Sequence, residues 1–254
     1  MVVRKPLFVL GGIALFLALV FGVLEANRYP VIVHYHTLDK KFASIAPYVA
    51  PETFEKQMAF IKKNGYRVVT LDEMTDAIKA GRTPRKTLAI TFDDGYADNL
   101  VAAEILRKHG FPATIFCVAQ RMGSAEGFLT PQQAREMEKT TPVRVGSHTL
   151  THLYLPGQPA DLVMREATES KKVLETMLGR EIRHLAYPVG GFDDAALAAV
   201  KSAGYTAAYT TNRGRGKDIH ALKRIKLSDH DLGIKLWAKL SGYFYIGKKE
   251  KKGY

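Results

Sequence analysis

After residue 30, short apolar runs alternate with longer segments in which apolar residues recur at helical spacing. The short runs cover 31–36, 66–69, 87–92, 113–118, 143–146, 183–187, 205–209 and 222–227, and each reads as a buried strand. Between them, helices are predicted from Pro51 to Gly65, with Phe54, Met58 and Ile61 on one face, and from Leu71 to near Gly81. Further helices are predicted over 98–109, 130–139, 161–178, 193–203 and 232–240. Thr130-Pro131 is a start signal, while Gly65, Gly110 and Gly179 are stops. Strands and helices alternating in this way form βα units around a parallel sheet. Seven or eight strands in roughly 225 residues predict a distorted (β/α) barrel, with an open doubly wound sheet as the competitor.

The start of the chain follows another pattern. Residues 7–24 carry no charge and follow Arg4-Lys5. Eighteen helical residues span roughly 27 Å, about the thickness of a bilayer's hydrocarbon core. The positive flank predicts a signal anchor with the rest of the chain on the extracytoplasmic side. Cleavage after Ala26 and secretion is the alternative, but Leu24 is large for the position it would then occupy. The expected organisation is a stub, anchor and linker over 1–28, a catalytic domain over 29–242 and a basic tail over 243–254.

Composition adds little to the fold. Of 254 residues, 46% are hydrophobic and 24% charged, which excludes wholesale disorder. The net charge of +12 gathers partly at the ends, at Arg4-Lys5 and at Lys248, Lys249, Lys251 and Lys252. That placement suits an anionic surface, and no nucleic-acid-reading motif is present. Cys117 is the single cysteine, so no internal disulfide forms.

The candidate chemistry stands where the predicted strands end. Strand 87–92 runs into Asp93-Asp94-Gly95, strand 31–36 ends on His36, and strand 143–146 leads to His148 and His152. Asp-Asp-Gly alone could equally be a capping turn. In a βα barrel, however, the C-terminal strand ends share one face, and active sites are built there. Asp94, His148 and His152 make a His₂-carboxylate set able to hold a divalent ion as a Lewis acid. The adjacent Asp93 diverges from that set, which leaves it to act as the base toward water. His36 is the candidate acid for a departing amine.

Thr91-Phe92-Asp93-Asp94-Gly95 and His148-Thr149-Leu150-Thr151-His152 resemble the first two motifs of the polysaccharide deacetylases. This is carbohydrate esterase family four, with its nodulation-deacetylase homology domain. Ala186-Tyr187-Pro188-Val189-Gly190 resembles the third motif, which forms one side of the substrate groove. Two features depart from the pattern. Ala186 stands where the family has an arginine that orients the base, leaving Arg183 or Arg224 for that task, and the late histidine motif is replaced only weakly by His230. The opening Val31-Ile32-Val33-His34-Tyr35-His36 resembles the poly-N-acetylglucosamine deacetylase subgroup. There the barrel is circularly permuted and the acid comes from an early Tyr-His; His34 lies outside that pattern.

The resemblance implies Asp93 as base and His36 as acid, with a metal on Asp94, His148 and His152. Zinc is the first expectation for that metal, with cobalt, nickel or iron as others. Tyr96, Tyr187 and Pro188 are the expected substrate contacts, with a backbone N–H near Tyr96 facing the oxyanion. Asp98 is expected to cap the helix that follows it. The implied substrate is an acetylated amino-sugar polysaccharide of the envelope or outside it. Peptidoglycan, chitin-like oligomers, a lipid-linked sugar, or a catalytically silent glycan-binding module are the alternatives.

Overall fold

The computed structural model describes residues 5–26, 28–82, 84–212 and 218–246, with the side chains of 5–11 and 14 outside that description. The basic end of the chain beyond residue 246 also lies outside the described residues.

Every strand pair is parallel. The strands are β1 (Val31–Tyr35), β2 (Arg67–Val68), β3 (Thr87–Phe92), β4 (Ala113–Cys117), β5 (Val143–Ser147), β6 (His184–Ala186), β7 (Ala207–Thr210), β8 (Leu222–Lys223) and β9 (Ile225–Lys226). Their order is β8-β7-β6-β5-β4-β3-β1-β9, with β2 beside the start of β3. Strands β8 and β9 are one wall interrupted at Arg224. Its first half pairs with β7 and its second with β1, so the sheet curls into a nearly closed barrel. The open sheet is thereby excluded.

Alternation along each strand separates two cores. Ile32, Ala89, Phe116, Ala186, Tyr209 and Leu222 fill the inside of the barrel. Val33, Tyr35, Ile90, Phe92, Ile115, Val145, Leu185 and Ile225 face outward and pack under the helices. Those helices are α2 (Pro51–Lys63), α3 (Leu71–Lys79), α4 (Asn99–His109), α5 (Pro131–Thr140), α6 (Ala160–Leu178), α7 (Asp194–Ser202) and α8 (Gly233–Leu240), after an N-terminal α1 (Lys5–Ala26). Capping boxes start two of them, Thr70 with Glu73 and Thr130 with Gln133.

Helix α1 covers the stretch expected to anchor the chain. Among the described residues, no helix is long and apolar enough to cross a membrane. The side chains of the first part of that stretch are not among them. The end of α1 and the segment after it are tied to the domain: Tyr243 donates to Glu25, and Tyr29 N donates to Gly242 O at 2.8 Å.

Candidate active site

Inward-facing positions at the C-terminal ends of β1, β3, β5 and the β8–β9 wall converge on one cavity of about 720 Å³. Asp93, Asp94, His36, His148 and His152 all line it, together with His34 and Arg224. The five residues expected to carry the chemistry are therefore brought together. His230 is exposed and does not line the cavity.

Arg224 sits at the break between β8 and β9, 1% exposed, and grips Asp93 with both terminal nitrogens. Nη1 donates to Oδ1 at 2.6 Å and Nη2 to Oδ2 at 2.8 Å. Nη1 also reaches Thr91 Oγ1 at 3.2 Å. Burial alone would raise the Asp93 pKa, but the Arg224 guanidinium, with His148 and His36, outweighs it. The carboxyl is held well below the ordinary carboxylate range. Arg183, the other candidate for this role, pairs instead with Asp72 at 2.8 Å, at the start of β6.

The second cluster is Asp94, His148 and His152, each offering a ligand atom within 4.8 Å of the others. His148 Nδ1 lies 2.8 Å from Ala186 O. A carbonyl only accepts, so Nδ1 carries the proton and Nε2 keeps its lone pair toward Asp94, 3.7 Å away. Burial lowers the His148 pKa to about 4, so the ring is neutral at ordinary pH. One carboxylate and two imidazoles, one of them fixed in the ligating tautomer, fit a divalent ion. Their donor chemistry does not choose among zinc, cobalt, nickel and iron.

The loops that carry these ligands are strained. Asp94 (φ 70°), Thr149 (φ 66°) and His152 (φ 70°) all occupy the left-handed region. A buried carboxylate on α6 holds the histidine loop in this shape. Glu166 accepts from Leu150 N at 2.9 Å, Thr151 N at 3.0 Å and Thr151 Oγ1 at 2.6 Å. Gly95 (φ 78°) lets the Asp-Asp turn pass over β4, since a Cβ there would lie 2.7 Å from Cys117 Sγ.

His36 follows β1 and is fixed through its backbone: its carbonyl accepts from Asn99 Nδ2 at 2.8 Å. Burial lowers the ring's pKa, partly offset by Asp93 and Asp94. Asp98, expected as a helix cap, makes no capping bond. It turns back to accept from Leu38 N and, at 3.1 Å, from Thr37 Oγ1, bracing the chain just beyond His36. His34 is buried 3.8 Å from Asp93, and neither ring nitrogen has a hydrogen-bond partner.

The expected sugar contacts are placed elsewhere. Ala186 faces inward, so Tyr187 faces outward; it is 0% exposed, stacks on Phe192 and donates to His220 O. Pro188 is buried as well. Tyr96 packs between Phe42 and Phe128, and burial together with Asp94 pushes its hydroxyl up to about 12. None of the three lines the cavity. Its rim is formed instead by Val189, 72% exposed, and Ile45, 75% exposed.

Sequence reasoning missed Glu166 and Lys226. Glu166 had a signal, a carboxylate in the apolar stripe of Val163, Ala167 and Leu174. Lys226 had one too, the alternation of Arg224-Ile225-Lys226-Leu227.

The family model for polysaccharide deacetylase matches residues 80–208, which include Asp93, Asp94, His148 and His152. The chain belongs to the polysaccharide deacetylase family. It is 32% identical over 206 residues to YxkH of Bacillus subtilis, assigned to the polysaccharide deacetylases, covering 79% of this chain and 72% of that one. The poly-beta-1,6-N-acetyl-D-glucosamine N-deacetylase of Staphylococcus aureus is 27% identical over 198 residues, covering 72% of this chain and 67% of that one. Among solved structures, the Streptococcus pyogenes deacetylase PplD in complex with acetate superimposes with a TM-score of 0.76 at 26% identity. That match covers 84% of this chain and 98% of PplD. IcaB from Ammonifex degensii shares the fold, with a TM-score of 0.73 at 23% identity over 84% of this chain and 97% of that one. As a member of the family the chain is a polysaccharide N-deacetylase, a hydrolase of a carbon–nitrogen bond.

Proposed function

We propose that this deacetylase removes N-acetyl groups from an N-acetylglucosamine-containing polysaccharide of the envelope or outside it. Asp93 is the base and His36 the acid, and Asp94, His148 and His152 hold a divalent ion, zinc first. The observation that carries the reading is the convergence of these five side chains, with Arg224, on one cavity. The likeness to the Staphylococcus aureus enzyme supports the substrate class.

When bound, the ion would polarise the acetyl carbonyl and acidify a water. Asp93, kept ionised and oriented by Arg224, accepts a proton from the attacking water as the water oxygen bonds to the acetyl carbon. A backbone N–H near Tyr96 is the candidate donor to the developing oxyanion. His36 then delivers a proton to the nitrogen as the carbon–nitrogen bond breaks, giving acetate and a free amine. A silent glycan-binding module would need neither an oriented base nor an acid.

The test is acetate release from poly-N-acetylglucosamine by the metal-loaded protein, before and after chelation. Release that stops on chelation and returns with zinc is expected. Release from small acyclic amides but from no glycan would remove the sugar assignment. His36→Ala retaining full turnover would remove that histidine as the acid.

The charge-free run after Arg4-Lys5 supports placing α1 in the membrane with the catalytic domain outside the cytoplasm. Protease accessibility in intact spheroplasts tests this. The N-terminus of the mature protein, read by mass spectrometry, separates an anchor from a cleaved signal.

A further inference from the structure

Strand β9 presents an exposed lysine at the mouth of the barrel. Lys226 is in register with His34 of β1, and parallel neighbours in register point to the same face. Arg224 and Lys226 accordingly face inward, while Ile225 and Leu227 join the outer core. The Lys226 side chain lines the cavity that holds Asp93 and His36, and its charge reaches both His34 and His36. Its backbone is fixed there, because its carbonyl accepts from Lys239 Nζ at 2.8 Å.

The other charges lining the cavity have assignments. Arg224 is paired with Asp93 at 2.6 Å, and Lys239 with Asp231 at 2.7 Å. Asp94 belongs to the candidate metal set. The Lys226 ammonium has no carboxylate and no hydrogen-bond acceptor among the described residues. A divalent ion on Asp94 would leave the mouth more positive still.

We infer that Lys226 is an anion-binding subsite, and that the glycan deacetylated here carries a carboxylate or a phosphate on or next to the N-acetylated sugar. This rests on the deacetylase reading above and narrows its substrate. A neutral homopolymer of N-acetylglucosamine offers the ammonium hydroxyl and carbonyl oxygens but no opposite charge. Each deacetylation of such a polymer also creates an amine cation that Lys226 repels. An anionic substituent reverses both effects, and the net charge of +12 draws such polymers in.

The experiment uses the full metal-loaded chain and three glycans. These are neutral poly-N-acetylglucosamine oligomers, peptide-free peptidoglycan strands with their lactyl carboxylates, and an N-acetylglucosamine glycan bearing phosphodiesters. The readout is kcat/KM for acetate release on each anionic glycan divided by that on the neutral one. Lys226→Gln is expected to lower this ratio on the order of tenfold, the weight of one charge-assisted hydrogen bond. Lys226→Arg should restore it, and raising the salt should lower it for the wild type. Loss confined to the carboxylated or to the phosphorylated glycan names the source of the anion. A ratio that Lys226→Gln leaves unchanged, or a wild type that prefers the neutral oligomer, overturns the inference and leaves the deacetylase reading intact. Absence of acetate from all three glycans overturns that reading instead. If Lys226→Gln does not fold, the salt dependence and the wild-type preference decide.

Discussion

Arg224 and Asp93 form a bidentate pair inside the barrel, at 2.6 and 2.8 Å, from strands that are not neighbours in sequence. The arginine stands at the break in the wall that closes the barrel, so the residue at the closure also orients Asp93, the base proposed above. Arg224→Met should leave the buried carboxylate unpaired and destabilise the protein by about 3–5 kcal/mol, with turnover lost. Adding Asp93→Asn should recover much of the stability and none of the activity. Urea unfolding of the two single variants and the double variant measures this. Near-additive losses would mean that the pair is not coupled.

Asp93→Asn by itself separates base from ligand. The amide keeps the shape but cannot take a proton from water. Turnover should fall by at least about a hundredfold, at the low end for an acid–base group. Bound metal, measured by elemental analysis, should stay at the wild-type ratio. His148→Ala should lose both metal and turnover.

Glu166 is the structural counterpart on α6. Glu166→Ala removes the acceptor of two backbone N–H groups, at Leu150 and Thr151, between His148 and His152. Each orphaned group costs about 1–3 kcal/mol. Denaturant melts should show a loss of about 2–6 kcal/mol for the two groups together, and zinc affinity should weaken although neither His148 nor His152 was changed. Unchanged zinc affinity would reduce Glu166 to a packing role.

Asp98 sets a pH dependence with a definite sign. Burial raises its carboxyl pKa in the folded chain. Its contribution to stability is therefore full below the ordinary carboxyl value of about 4 and is lost as pH rises through the folded value. An asparagine side chain at this position could still accept from Leu38 N and Thr37 Oγ1 and would have no charge to bury. Asp98→Asn should flatten the fall in stability above about pH 4, seen in thermal melts across pH.

Much of this was legible in the residues, for reasons that can be named. Apolar runs such as 87–92 are buried on both faces, so strand identity and the parallel barrel followed from the alternation with helices. The convergence of Asp93, Asp94, His148 and His152 on one cavity followed because barrel strands end on one face. Tyr187 and Pro188, expected as substrate contacts from the third motif as a block, do not line the cavity. Period-2 geometry turns Ala186 inward and Tyr187 outward. Local helix signals point Asp98 to a cap, but its Oδ2 accepts from Thr37 and Leu38, about sixty residues earlier. Such long-range pairings carry no local signal.

Val189 offers a case in which stability and function should move in opposite directions. It is a β-branched residue at φ 57°, where the backbone strongly disfavours it, and its exposed side chain stands on the cavity rim. Strain of this kind costs about 1–3 kcal/mol and persists where the surroundings impose it. Val189→Gly relieves the strain at the expense of a freer unfolded chain, so a net gain of about 1 kcal/mol is expected in denaturant melts. The same change removes an apolar side chain that lines the cavity along with Ile45, so KM for the glycan should rise while kcat is nearly kept. A rim that only packs would leave KM unchanged, and a turn that is not strained would make the glycine variant less stable than the wild type.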